Sequence, residues 1–199
     1  MADRAVRLLG VLCVLLLVSG CVHRHPATDD DASAAGLERF SVDGKVSWRG
    51  AGRSGRASVS WAQDATRGRL VLSGPFGAGA AVLEASEDGA RLRLGDDVRF
   101  ARDAASLLET ELGLPLPVAE ARHWVVGATA PGEAAVLERD DDGRLHVIEQ
   151  AGWRVVFDRH RSVDGLALPG RVEMRRDDLR LLFVATRWRP AVAEFPEDA

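Results

Sequence analysis

Ser41-Val42-Asp43-Gly44-Lys45-Val46-Ser47-Trp48-Arg49 alternates between apolar or small side chains and polar ones without a break. Successive side chains of an extended strand point to opposite faces. A period of two therefore puts Val42, Gly44, Val46 and Trp48 on one face and Ser41, Asp43, Lys45, Ser47 and Arg49 on the other, which is a half-buried strand. Gly50 to Gly55 read as a turn, after which Ala57, Val59 and Trp61 repeat the pattern against Ser58 and Ser60. A hairpin is predicted. The rhythm continues through Arg69 to Ser73, Ala80 to Ala85 and Arg91 to Leu94, with turn signals at Gly68, Gly74 to Gly79, Asp88-Gly89 and Asp96-Asp97. Closely spaced strands of this kind predict an antiparallel meander.

Beyond Asp97 the period changes. Asp103 can cap a helix whose Leu107, Leu108 and Leu112 recur at three-to-four spacing until Gly113 and Pro115. A second short helix is expected from Pro117, carrying Val118, Ala121, Trp124 and Val125 on one side and stopping at Gly127. Strands resume at Ala134 to Glu138, Arg144 to Gln150, Trp153 to His160, Leu168 to Arg176 and Leu179 to Trp188, and Arg189-Pro190 ends the last. About eleven strands around one helical insert predict a mainly β fold: a strongly curved antiparallel sheet or incomplete barrel, with the helices packed across its open side as a cover. Its inward faces would carry Val46, Trp48, Trp61, Leu70, Leu72, Leu92, Leu94, Trp153 or Val155, and Phe183, with Leu108, Leu112 and Trp124 on the lid. The period is met equally by side chains that line a cavity and by side chains that fill a solid core.

Ahead of this domain, Arg4 and Arg7 precede an apolar run from Leu8 to Val18, followed by Ser19-Gly20-Cys21. The run is about half the ~20 residues that a spanning helix needs, and small residues stand where a signal peptidase binds an extended chain. Val18-Ser19-Gly20-Cys21 fits a lipobox, in which the cysteine sulfur takes diacylglycerol and becomes the first mature residue. Residues 1–20 are thus expected to be a lipoprotein signal peptide, and removing Cys13 with them leaves Cys21 without a disulfide partner. Val22, where inner-membrane retention calls for Asp, directs the expectation to the outer membrane, facing the periplasm. Residues 21–36, with Pro26 and Asp29-Asp30-Asp31, read as a flexible tether, residues 37–190 as the folded domain and residues 191–199 as a flexible tail.

The chain has 26 basic and 30 acidic side chains, and the mildly acidic balance speaks against nucleic acid as a partner. No Gly-x-Ser-x-Gly elbow is present. His123, His146 and His160 fall on separate elements without metal-ligand spacing, and His23 and His25 stand alone on the tether. Asp140-Asp141-Asp142-Gly143 lacks the alternate spacing and closing Glu of a calcium loop and reads as a hairpin turn. Gly77-Ala78-Gly79 is followed by strand-like residues, whereas a dinucleotide fingerprint requires a helix. Neither an enzyme nor a bound metal or cofactor is expected.

One stretch fits none of this. Ser73-Gly74-Pro75-Phe76-Gly77-Ala78-Gly79 sets a large apolar ring among glycines that cannot bury it. Here the residues resemble the LolB family, outer-membrane lipoprotein receptors of Gram-negative bacteria. The resemblance runs through the Gly44 strand, Trp61, Pro75-Phe76-Gly77, Gly113-Leu114-Pro115-Leu116-Pro117, Trp124-Val125-Val126-Gly127, Gly152-Trp153-Arg154-Val155-Val156-Phe157, Leu168-Pro169 and Arg187-Trp188, in that order. It implies an unclosed antiparallel β-barrel of about eleven strands with a helical lid over an apolar cavity, and a monomer that accepts the acyl chains of lipoproteins from the soluble periplasmic carrier LolA and inserts them into outer-membrane lipid. It also implies that Pro75, Phe76 and Gly77 form a membrane-insertion loop, with Phe76 where the family usually has leucine. The chain departs from the family in having no tyrosine, with Phe100 and Phe157 at places where one is common. The alternative is a periplasm-facing lipoprotein that binds a protein partner in envelope assembly or stress sensing.

Overall fold

The structure is a computed structural model that describes Ala34, residues 36–50, 52–74, 79–132 and 135–193, and Phe195. The signal peptide, Cys21, most of the tether and the Pro75, Phe76 and Gly77 loop lie outside the described residues.

The opening alternation is strand β1 (Phe40–Gly50), paired residue for residue with β2 (Arg53–Gln63) from Gly50 opposite Arg53 to Phe40 opposite Gln63. The hairpin is tighter than its glycines suggest: Arg53, Ser54 and Gly55, expected in the turn, already belong to β2. β3 (Arg67–Ser73), β4 (Ala80–Ser86) and β5 (Gly89–Leu94) extend the meander, and β6 (Asp97–Ala101) closes that side. After helices α1 (Ala104–Leu112) and α2 (Val118–Trp124) come β7 (Val136–Arg139), β8 (Leu145–Gln150), β9 (Trp153–Asp158), the short pair β10 (Arg161–Val163) and β11 (Leu166–Leu168), then β12 (Arg171–Arg176) and β13 (Leu179–Pro190). Eleven strands form one antiparallel sheet in the order β6-β5-β4-β3-β2-β1-β13-β12-β9-β8-β7, with β10 and β11 a separate ribbon. β6 and β7 are the free edges, so the sheet is not closed.

Two expectations on strands need correction. Asp96-Asp97 was expected as a turn; the turn is Gly95 (φ 61°) with Asp96, and Asp97 already starts β6. The strand from Trp153 and the strand through Leu168 are each broken by the β10–β11 ribbon. Its two-residue turn, Asp164-Gly165, takes positive φ at both positions, as a tight hairpin demands.

Gly44 sits at a register shift between β1 and β13. A Cβ there would come within 2.5 Å of the Val184 carbonyl and 2.8 Å of the Phe183 ring, so only glycine admits that close crossing. Helix α1 starts where Asp103 accepts the backbone N–H of Ser106 at 2.8 Å, and it ends at left-handed Gly113. Both helices turn their apolar sides to the sheet, burying Ala104, Leu107 and Leu108 on α1 and Val118, Ala121 and Trp124 on α2.

The described part of the tail is not free. Ala191 donates its N–H to Arg39, Ser41 Oγ donates to the Val192 carbonyl, and the Arg67 guanidinium lies 4.8 Å from the centre of the Phe195 ring. These partners lie just before β1 (Arg39), on β1 (Ser41) and on β3 (Arg67).

Candidate functional site

The interior is built by the inward positions of β1 to β5, β8, β9, β12 and β13 and roofed by α1 and α2. Val46, Trp61, Leu70, Leu72, Leu92, Leu108, Trp124, Trp153 and Phe183 are buried in one apolar cluster, and Trp48, Leu94 and Leu112 pack half-buried against it. All twelve residues expected inside are therefore brought together, and Val155 is buried with Trp153 on the same face of β9. Most of them fill space against one another. Trp124 and Trp153 meet with ring centroids 6.1 Å apart, and Phe40 makes edge-to-face contacts with Trp61 and Trp188 at 6.0 and 5.7 Å.

An open pocket of about 570 Å³ lies between the sheet and the helices. Trp61, Leu70, Leu83, Ala85, Pro117 and Val118 give it apolar walls, and Arg102, Asp103, Glu120 and Arg122 stand at its rim. Of the residues expected to line a cavity, only Trp61 and Leu70 reach it. It lies beside the β2–β3 and β4–β5 turns, the end of the sheet opposite the β3–β4 connection.

Two buried glutamines, both missed in the sequence, keep polar groups around this interior satisfied. Gln63 accepts from Trp61 Nε1 at 3.3 Å and donates to the carbonyls of Asp64 and Arg67, which leaves the Trp61 wall of the pocket apolar. Gln150 accepts from Trp124 Nε1 at 3.0 Å and from the Ala130 N–H at 2.9 Å, and it donates to the Ala130 carbonyl at 2.7 Å. It pins the end of α2 and the following segment to β8. The only available signal was position: Gln150 occupies an inward place where the alternation called for an apolar residue.

His123 and His160 both have pKa values below the ordinary 6.5, first because burial disfavours the imidazolium; Arg122 adds to this at His123. His146 Nδ1 lies 3.0 Å from the Phe157 carbonyl. Among the described residues no group of three or more His, Cys, Asp or Glu side chains could hold a metal. Of the insertion loop, the structure fixes the base: Ser73 pairs with Ala80, and the Gly74 N–H points to the Gly79 carbonyl at 3.5 Å.

An unclosed antiparallel sheet curved around an apolar interior, with two short helices as its roof and no assembled catalytic group among the described residues, defines a lidded half-barrel of the LolA-like fold. Solved structures with this fold include a LolA-superfamily protein from Nitrosomonas europaea (TM-score 0.54, 8% identity, 84% of this chain and 92% of that one). A DUF1329-family protein from Desulfovibrio piger is another (TM-score 0.51, 9% identity, 78% and 86% covered). The family model described as outer membrane lipoprotein LolB matches residues 38–188. Outer-membrane lipoprotein LolB of Halorhodospira halophila is 36% identical over 92% of this chain and 94% of its own, and that of Pseudomonas paraeruginosa is 33% identical over 93% and 97%. The chain belongs to the LolB family of outer-membrane lipoproteins. It is accordingly a lipid-anchored protein of the outer membrane and a lipoprotein-localisation factor rather than an enzyme.

Proposed function

We propose that this protein receives acylated lipoproteins from a LolA-like soluble carrier into the apolar interior beneath α1 and α2 and releases them into the outer membrane. The observation that carries this reading is the convergence of apolar side chains from nine strands under two short helices, with an opening between helices and sheet. Each acyl methylene kept from water is worth about 0.8 kcal/mol, so chains of ordinary length cross an aqueous compartment only when passed from one apolar shelter to the next. An interior that binds them better than the carrier does, and less well than a bilayer, gives the transfer its direction without nucleotide hydrolysis. Because most interior side chains already touch one another, entry of the chains requires α1 and α2 to move off the sheet. Cys21 is the anchored residue, and Pro75, Phe76 and Gly77 form the element that enters lipid.

Phe76→Glu tests the delivery step. The variant should fold, accept a fluorescent triacylated lipopeptide and fail to pass it to liposomes. Delivery at the unmodified rate would remove the loop from the account. The second reading, a lipoprotein that binds a protein partner, draws on the close packing of the interior and predicts no uptake of lipopeptide at all.

A further inference from the structure

On the outer face of the sheet, four arginines stand directly opposite one another in adjacent strands. Arg154 on β9 faces Arg175 on β12, Arg175 faces Arg180 on β13, and Arg180 faces Arg49 on β1. Their inward neighbours Trp153, Met174, Leu181 and Trp48 fix this face as the outer one. With strands about 4.8 Å apart, the row spans roughly 15 Å. Like charges placed directly across strands destabilise a sheet, so such a row is a cost to folding.

Four carboxylates pair with the row and with the neighbouring Arg171. Glu173, buried beneath it, accepts from Arg175 and, at 2.8 Å each, from Arg171 and Arg180; one carboxylate thus serves three guanidinium groups. Arg171 also donates to Asp158 at 2.6 Å. Arg154 pairs with Glu149 and lies 3.6 Å from Glu138. Burial pushes the Glu173 carboxyl up, but the hydrogen bonds and charges of Arg180 and Arg175 outweigh it and hold it below the ordinary range, so Glu173 stays ionised at neutral pH. Arg154, Arg175 and Arg180 keep 45%, 55% and 40% of their side-chain surface, and Arg49 is exposed beyond them. Half-buried Val156, Leu182 and Val184 lie next to the row on the same face.

The place of the row gives it a partner. Arg49, Arg154, Arg175 and Arg180 are all within a few residues of the β1–β2, β8–β9 and β12–β13 turns, at the end of the sheet that also carries the β3–β4 connection. Asp177 and Asp178 occupy the β12–β13 turn beside Arg176, so the cationic surface is on the face behind the tip. We propose that this arginine row is a docking surface for anionic phospholipid headgroups and holds the loop end of the domain against the membrane. The proposal rests on the delivery reading only for the position of the bilayer at that end.

The mature chain carrying Cys21→Ala, which removes the acyl anchor, should float with vesicles of phosphatidylcholine containing about a quarter phosphatidylglycerol and far less with phosphatidylcholine alone. That binding should weaken as salt is raised. Arg49→Gln with Arg154→Gln should lower it roughly 25-fold, at about fivefold per charge. Lysine at both positions should retain it, as should Arg144→Gln in the turn at the far end. Equal binding to the two vesicles, indifference to salt, or an equal loss in Arg144→Gln would overturn the proposal. So would a double glutamine variant that floats normally but captures less lipoprotein from the carrier, which would assign the row to an acidic protein surface. Flotation involves no cargo, so a failure of headgroup docking and a failure of delivery are seen separately.

Discussion

Replacing Gln150 by leucine keeps the volume at a buried position but removes every polar contact made by that side chain. Trp124 Nε1, the Ala130 N–H and the Ala130 carbonyl would each lose the partner they have at 3.0, 2.9 and 2.7 Å. A buried donor or acceptor left without a partner costs about 1–3 kcal/mol. Three such groups at the low end of that range give a loss of about 3 kcal/mol, which at about 2–4 °C per kcal/mol for a domain of this size lowers the melting midpoint by about 10 °C. The assay is a urea titration followed by tryptophan fluorescence, with an unchanged slope showing that the same surface is exposed on unfolding. Because Trp124 ends α2, the variant should also lose bound lipopeptide faster. A stability change under about 1 kcal/mol would refute the claim that Gln150 pins the lid.

Gly44→Ala should destabilise the fold by about 1–3 kcal/mol, read from the same titration, because its new methyl meets both the Val184 carbonyl of β13 and the buried Phe183 ring. The lowered pKa values of His123 and His160 mean that the unfolded chain takes up protons first as pH falls. Stability from these groups is complete well above 6.5 and declines as pH drops below it; substituting both residues by glutamine should flatten that part of the curve. Glu173 acts lower, its contribution present at neutral pH and lost as pH falls from the ordinary 4.5 through its depressed value. The tether offers a geometric test. β1 has 11 residues and is about 36 Å long, with the chain entering at its Phe40 end and the loop at the other. Cys21 to Ala34 reaches roughly 45 Å when fully extended, so deleting about half of it should block delivery by the anchored protein, and adding Cys21→Ala should restore it in part. Equal delivery by the shortened, anchored chain would show that the loop end need not reach the membrane holding the anchor.

The alternation from Ser41 to Arg49 announces a half-buried strand because burial on one face leaves a period of two that no other element produces. Trp61, Leu70 and Leu92 were legible as inward for the same reason. β6 was not, since its apolar residues, Val98 and Phe100, point outward at a free edge beside Arg93 and Arg91. The β10–β11 ribbon has three residues in each strand, too few to show a period, although Asp164-Gly165 was a usable turn signal. Gln63 and Gln150 break the apolar pattern at inward positions, and their partners at Asp64, Arg67, Trp124 and Ala130 are set by loops and lid that periodicity does not place. The arginine row was invisible because it is a property of register: its members come from four strands and line up only once the sheet is paired.

The most direct measurement mixes the mature protein with a soluble LolA-like carrier loaded with a triacylated lipoprotein, separates the two proteins and asks which holds the cargo. The account predicts that the lipoprotein moves to this protein without nucleotide and moves on when outer-membrane vesicles are added. Cargo that stays on the carrier while this protein remains folded would contradict it.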